Sequence, residues 1–225
     1  MRYYPVNLDI RNRPCLVVGG GRVGARKVKT LIQCGAVVTV VSPETAPSVH
    51  QLAADKAIVL KQRPYQSSDG DGMFLVIGAT DDETLNRQIN ADAEHRHQLC
   101  NIADRPEICN FILPAIVRRG DFVMAVSTAG KSPAFAKHIR KRLEDQFGPE
   151  YGELLDLMGA IRTRLLAEAH EPEAHKPLFE QLIEENLLDL VKEKNTEHID
   201  RLLEQVLGPG YRYDQLMPSN RQPGE

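Results

Sequence analysis

The stretch PCLVVGGGRVG, residues 14–24, limits the possible folds of this chain more than any other. PCLVV is short, apolar and rich in branched side chains, the pattern of a strand buried on both faces. A glycine turn follows at once, and GARKVKTLIQC (24–34) then places Val28, Leu31 and Ile32 at helical spacing, with Gly35 as the stop. VVTVV (37–41) is the next buried strand. Strand, glycine turn, helix and strand make a right-handed crossover between parallel strands. In that setting Gly19-x-Gly21-x-x-Gly24 has the spacing of a dinucleotide fingerprint. Gly19 makes the tight turn, Gly21 lets the backbone approach a pyrophosphate, and Gly24 lets the helix pack on the sheet with its N-terminus toward the anion.

The alternation continues with strands at AIVLK (57–61), MFLVIGA (73–79) and QLCNIA (98–103), and a helix from Asp82 to about His97. The expected class is α/β, with an N-terminal Rossmann-type parallel sheet. In such sheets ligands gather beyond the carboxyl ends of the strands. That edge selects Ser42, Pro43 and Glu44 after the second strand, the loop Gly78-Ala79-Thr80-Asp81, and Asp104 after CNIA. Ser42 stands where a ribose-reading acid is usual, and Glu44 lies 20 residues beyond Gly24. No arginine follows immediately to receive a 2′-phosphate, so NAD is expected over NADP. Asp104 is placed to accept a proton beside a nicotinamide; the alternative is a surface aspartate paired with Arg105.

After Arg105-Pro106 the rhythm changes to a short segment, a turn at Gly120-Asp121 and a strand over 122–127. Ser132-Pro133 opens a helix to about Phe147, which Gly148-Pro149 breaks. Helical periodicity then runs from Tyr151 to Leu207, with loops at 170–177 and near Asn195-Thr196, and PSNRQPGE reads as a frayed tail. The leucine spacing there is that of core packing. The expected divisions are 1–112 for the dinucleotide-binding domain, 113–149 for a central segment, 150–210 for a small helical domain and 211–225 for the tail.

The net charge of −3 conceals a polarised chain: residues 1–149 hold 20 basic against 15 acidic side chains, and residues 150–208 hold 6 against 14. KSPAFAKHIRKR (131–142) has five cations and no acid, and Arg118-Arg119 lie shortly before it. A substrate with several carboxylates would need such a stretch. Nucleic acid is disfavoured, because only Phe135 and Phe147 lie nearby and the C-terminal part is acidic. No apolar run approaches the roughly 18 residues a bilayer requires, so no membrane association is expected and the cytoplasm is. The four cysteines, without metal-binding spacing, read as reduced, buried thiols; His95-x-His97 points to different helix faces, so no metal site is expected.

The runs YYPVNLDIRNRPCLVVGGGRVGARKVKTLIQCGAVVTVVSP, GATDDETLNRQI and CNIADRPEICNFILPAIVRRGDFVMAVSTAGKSPAFAKHIRKRLE resemble the precorrin-2 dehydrogenase family, including the N-terminal half of siroheme synthases. The likeness is dense over residues 1–150 and loose beyond. It implies NAD-dependent oxidation of precorrin-2 to sirohydrochlorin on the path to siroheme or cobalamin, and in some members insertion of ferrous iron. It also implies a homodimer, with 113–149 as the dimerisation region. By motif, the cofactor contacts fall on Gly21, Arg22, Val23, Ser42, Pro43 and Thr80, beside Gly19, Gly24 and Glu44 from the residue reading, and the catalytic aspartate on Asp104. Arg22 occupies a slot that can be acidic in the family. The carboxylate-rich tetrapyrrole suits Arg118, Lys131, Lys137, Arg140 and Lys141. A chain ending at 225 is expected to carry no methyltransferase. The contrasting class is a dinucleotide-sensing regulatory module, which shares the glycine fingerprint and needs no catalytic base.

Overall fold

The computed structural model describes residues 2–168 and 172–217. They form two compact units, which divide between Leu113 and Pro114.

The first unit is a five-stranded parallel sheet in the order β3-β2-β1-β4-β5. Along the chain the elements are β1 (Pro14–Gly20), α1 (Arg22–Gln33), β2 (Val37–Thr45), α2 (Pro47–Ala54), β3 (Val59–Lys61), β4 (Leu75–Gly78), α3 (Glu83–His95) and β5 (Leu99–Ile102). β1 lies between β2 and β4, with Val17 beside Val40 on one side and Ile77 on the other. Its alternate residues serve two cores. Cys15 and Val17 pack with Val28 and Leu31 of α1, and Leu16 and Val18 with Ile89 and Ala93 of α3. Full burial explains the unbroken apolar run, and each such aliphatic side chain contributes about 2 kcal/mol.

Three local expectations change. The first helix begins at Arg22 rather than Gly24, so Arg22 and Val23 belong to its first turn. The second strand continues to Thr45, so Ser42, Pro43 and Glu44 extend it. Cys34 is exposed, because it is the C-cap residue where the chain leaves α1; Cys15, Cys100 and Cys109 are buried. Gly35 then takes φ +74° and closes the helix with a bond from its N–H to the Ile32 carbonyl.

β5 is an edge strand, and the chain returns along it without forming another. The Asn110 side chain bonds both ways, its Oδ1 accepting from Cys100 N (2.8 Å) and its Nδ2 donating to the Gln98 carbonyl (2.8 Å).

The second unit holds β6 (Ala115–Arg119), β7 (Phe122–Val126), α4 (Pro133–Gln146), α5 (Glu150–Ala167), α6 (Pro172–Glu184), α7 (Leu187–Lys192), α8 (Thr196–Leu207) and α9 (Tyr213–Leu216). The short segment before Gly120 is thus the first strand of an antiparallel hairpin, with Val117 opposite Met124. The hairpin is tied to the helices: Arg119 donates to the carbonyls of Phe147 (2.9 Å) and Glu144 (3.0 Å), and the Phe122 ring stacks 5.3 Å from Tyr151. Leu157, Ile161, Leu165, Leu182, Leu187, Val191, Ile199 and Leu203 form the bundle core.

The loop expected over 170–177 is helical from Pro172 onward; proline fits a first helical position, and Leu182 further along α6 anchors it in the core. Part of that expected loop, and the tail from 218, lie outside the described residues. Residues 211–217 are no tail: Tyr211 is buried in the core, and Tyr213 N donates to Asp200 Oδ1 at 2.7 Å.

Candidate dinucleotide and catalytic site

A parallel sheet delivers the carboxyl ends of its strands to one edge. Here that edge collects the glycine turn, the end of β2, the loop after β4 and the turn after β5. Gly19 and Gly24 are dictated by close approach. Gly19 has φ +105°, and a Cβ there would sit 2.2 Å from the Ala79 carbonyl oxygen. One on Gly24 would sit 2.0 Å from the carbonyl oxygen of Gly19. The β1 turn, the β4 loop and α1 are therefore locked together by backbone. Gly21 is different, with nothing within 4 Å of its Cβ position. It is the N-cap of α1, makes no side-chain cap bond, and has no acidic residue in the turn it begins. The first N–H groups of α1 are thus available to an anion, which fits a dinucleotide pyrophosphate. Arg22 is exposed and Val23 half-buried in that turn.

At the end of β2, Ser42 is buried and its hydroxyl donates to the Glu44 carbonyl at 2.6 Å, while Pro43 and Glu44 are exposed. In the β4 loop Thr80 is braced twice: its Oγ1 accepts from Asp82 N (3.0 Å) and its carbonyl accepts from Asn86 Nδ2 (2.9 Å). Asp82 caps α3 by accepting from Leu85 N at 3.0 Å.

Asp104 is an exposed residue with φ +60°, a left-handed conformation that aspartate tolerates better than most. Arg105 does not pair with it. That guanidinium lies 3.3 Å from Glu83 and 3.8 Å from Glu107. Among the described residues nothing hydrogen-bonds or ion-pairs the Asp104 carboxylate. Its charged neighbour is Lys27 of α1, half-buried and within electrostatic reach of Asp104 and Cys109. Burial pushes the Lys27 ammonium below its ordinary pKa, helped by Arg26, and Asp104 and Cys109 act in the opposite sense. Sequence reading assigned Lys27 no role; its position one helical turn beyond Gly24 was the available signal.

The second unit carries the other group of candidates. Arg118 is exposed on β6 and its Nε donates to the Gly120 carbonyl at 3.0 Å. Lys131 precedes α4, whose N-cap Ser132 accepts from Phe135 N at 3.2 Å. Lys137 and Lys141 are exposed on α4 and one turn apart. Arg140 is committed to Glu144 in a partly buried ion pair. Among the described residues there is no group of three or more metal-ligating side chains, and no helix is long and apolar enough to cross a membrane.

Residues 6–115 match the model of an NAD(P)-binding family, and residues 119–146 match that of the sirohaem biosynthesis protein central region. A solved structure described as SirC, precorrin-2 dehydrogenase, superposes with a TM-score of 0.75 at 27% identity, over 91% of this chain and 99% of that one. In sequence and fold the chain is similar to the precorrin-2 dehydrogenase family. Siroheme synthases also align with this chain. That of Methylococcus capsulatus is 36% identical over 90% of this chain and 43% of its own, and that of Thioalkalivibrio sulfidiphilus 37% identical over 93% and 43%. The chain thus spans about two fifths of the length of these curated relatives. The NAD(P)-binding match covers the glycine turn, the β4 loop and Asp104 together.

Proposed function

We propose that this chain oxidises precorrin-2 to sirohydrochlorin with NAD as acceptor, in siroheme or cobalamin biosynthesis. The observation that carries the reading is the open carboxylate of Asp104 on a left-handed turn, at the same sheet edge as the uncapped N-terminus of α1. The bound nicotinamide supplies the hydride acceptor. Asp104 would take the one proton that leaves the substrate as its single hydride passes to the nicotinamide. Gly21, Arg22 and Val23 hold the pyrophosphate through α1 backbone N–H groups, and Gly19 and Gly24 keep that turn against the β4 loop. Ser42, Pro43 and Glu44 would lie toward the adenosine ribose of a bound dinucleotide, and Thr80 toward its nicotinamide half.

NAD is favoured over NADP by two features: Glu44 is exposed at the end of β2, and Arg63 just past β3 is occupied by Asp69 at 2.6 Å. Arg118, Lys131, Lys137, Arg140 and Lys141 are assigned to substrate carboxylates, with the three lysines the freest. An exposed apolar face on the hairpin, Ile116, Val123 and Ala125, supports a homodimer. Buried free thiols suit the cytoplasm. Ferrous iron enters only as a second substrate.

The test is direct: purified protein given precorrin-2 and NAD should produce sirohydrochlorin absorbance and NADH in step. If neither appears, the assignment is wrong.

A further inference from the structure

The turn that presents Asp104 has little backbone support of its own. Arg105 N reaches the Ile102 carbonyl at 3.3 Å and Ile108 N reaches the Arg105 carbonyl at 3.3 Å, both long bonds, while Asp104 between them adopts a left-handed conformation. Ala103 N is the last group in the ladder, donating to the Gly78 carbonyl at 2.8 Å.

One side chain spans the gap. Cys109 Sγ accepts from Ile102 N at 3.1 Å and from Asn101 Nδ2 at 3.7 Å, and its S–H faces the carbonyls of Arg105 (3.1 Å) and Ile102 (3.4 Å). It therefore bonds the chain on both sides of Asp104. Among the described residues no other side chain hydrogen-bonds the backbone of residues 102–105. Cys109 is 9% exposed, and burial raises the pKa of its thiol, so it keeps the proton it donates.

We propose that Cys109 is a positioning residue for Asp104: its thiol clamps the 102–105 turn so that the carboxylate is held at the cofactor edge, without itself touching cofactor or substrate. This rests on the dehydrogenase reading of Asp104. A thiol makes weak hydrogen bonds, so the effect on folding is small; its weight falls on geometry, to which proton transfer is sensitive.

The experiment is steady-state kinetics of the full chain with precorrin-2 and NAD. Cys109→Ala should lower kcat about tenfold while KM for NAD stays within about twofold. Cys109→Ser keeps a donor and an acceptor and should recover most of the loss. Because Cys109 acts through Asp104, adding Cys109→Ala to Asp104→Asn should cost almost nothing further. Should the alanine variant not fold, Cys109→Val fills the space without bonding and replaces it. Wild-type kcat in the alanine or valine variant overturns the proposal, as does a joint loss of kcat and NAD affinity or an undiminished loss in the Asp104→Asn background. Those results leave Asp104 standing as the base. A wild-type protein that makes no NADH removes the dehydrogenase reading, and the clamp falls with it.

Discussion

Two aspartates of the first unit stand in opposite relation to their surroundings. Asp69, 2% exposed, receives both terminal nitrogens of Arg63 (2.6 and 2.7 Å), Lys61 Nζ (2.9 Å) and the backbone N–H of Gln66 (3.0 Å). Those partners, Arg63 foremost, hold its carboxyl far below the usual carboxylate range despite burial. Asp104 has an exposed side chain and no bonded partner among the described residues. The segment after β3 saturates its carboxylate and gains rigidity from it. The turn after β5 leaves its carboxylate open and obtains rigidity elsewhere, from Cys109 and from the neighbouring Glu83–Arg105 pair. A charge that holds the fold is consumed by its bonds, whereas one that does chemistry must be left with free lone pairs.

The sharpest way to break this contrast is Asp104→Asn. Asparagine tolerates the left-handed backbone, so the melting temperature should not move, while kcat should drop about a thousandfold with NAD affinity retained. Retained turnover would remove Asp104 as base, whereas a wild type that binds NAD and turns nothing over would favour the sensing module.

Gly24→Ala should cost about 3 kcal/mol and weaken NAD binding together with stability, since its Cβ would meet backbone; calorimetry and a binding titration read both. Asp69→Asn should cost about 2 kcal/mol in urea unfolding at neutral pH, less than a fully buried pair because Lys61 and Arg63 are partly exposed, with turnover per folded molecule unchanged. Its pH dependence has a definite sign. The native carboxyl is depressed, so its stabilisation is complete above about pH 5 and is lost as pH falls through the unfolded-state value toward the native one. The gap between wild type and Asp69→Asn should therefore narrow in acid. The smallest effect belongs to the exposed cations: Lys137→Gln and Lys141→Gln should each raise KM for precorrin-2 about threefold, diminishing with salt.

Much of this was legible in the chain. Five parallel strands announced themselves because β1, β2 and β4 are buried on both faces, and a parallel sheet in turn predicts which loops share an edge. That is why Ser42, Thr80 and Asp104 can be assigned to one edge from their places at strand ends, beside the glycine fingerprint that marks Gly19. Pairing was not legible. Whether Arg105 turns to Asp104 or to Glu83 depends on where α3 begins in space, and the capture of Arg63 by Asp69 depends on the path of a segment without strong periodicity. α2 was missed because PSVHQLAA buries only Val49 fully. The loop at 170–177 was over-read from two prolines, one of which starts a helix. The break before α7 rests on Asn186 at φ +59°, a conformation that composition does not announce.

The Asn110 side chain along β5 has a consequence for the protein in a crowded solution. An open strand edge is a template on which any extended peptide, including another copy of this chain, can add. By occupying Cys100 N and the Gln98 carbonyl, one amide takes the donor and acceptor that an incoming strand would use first. Replacing Asn110 with alanine would free Cys100 N and the Gln98 carbonyl while the Asn110 N–H stays on the Cys100 carbonyl (3.2 Å), and the expected phenotype is more aggregation during expression rather than an altered reaction.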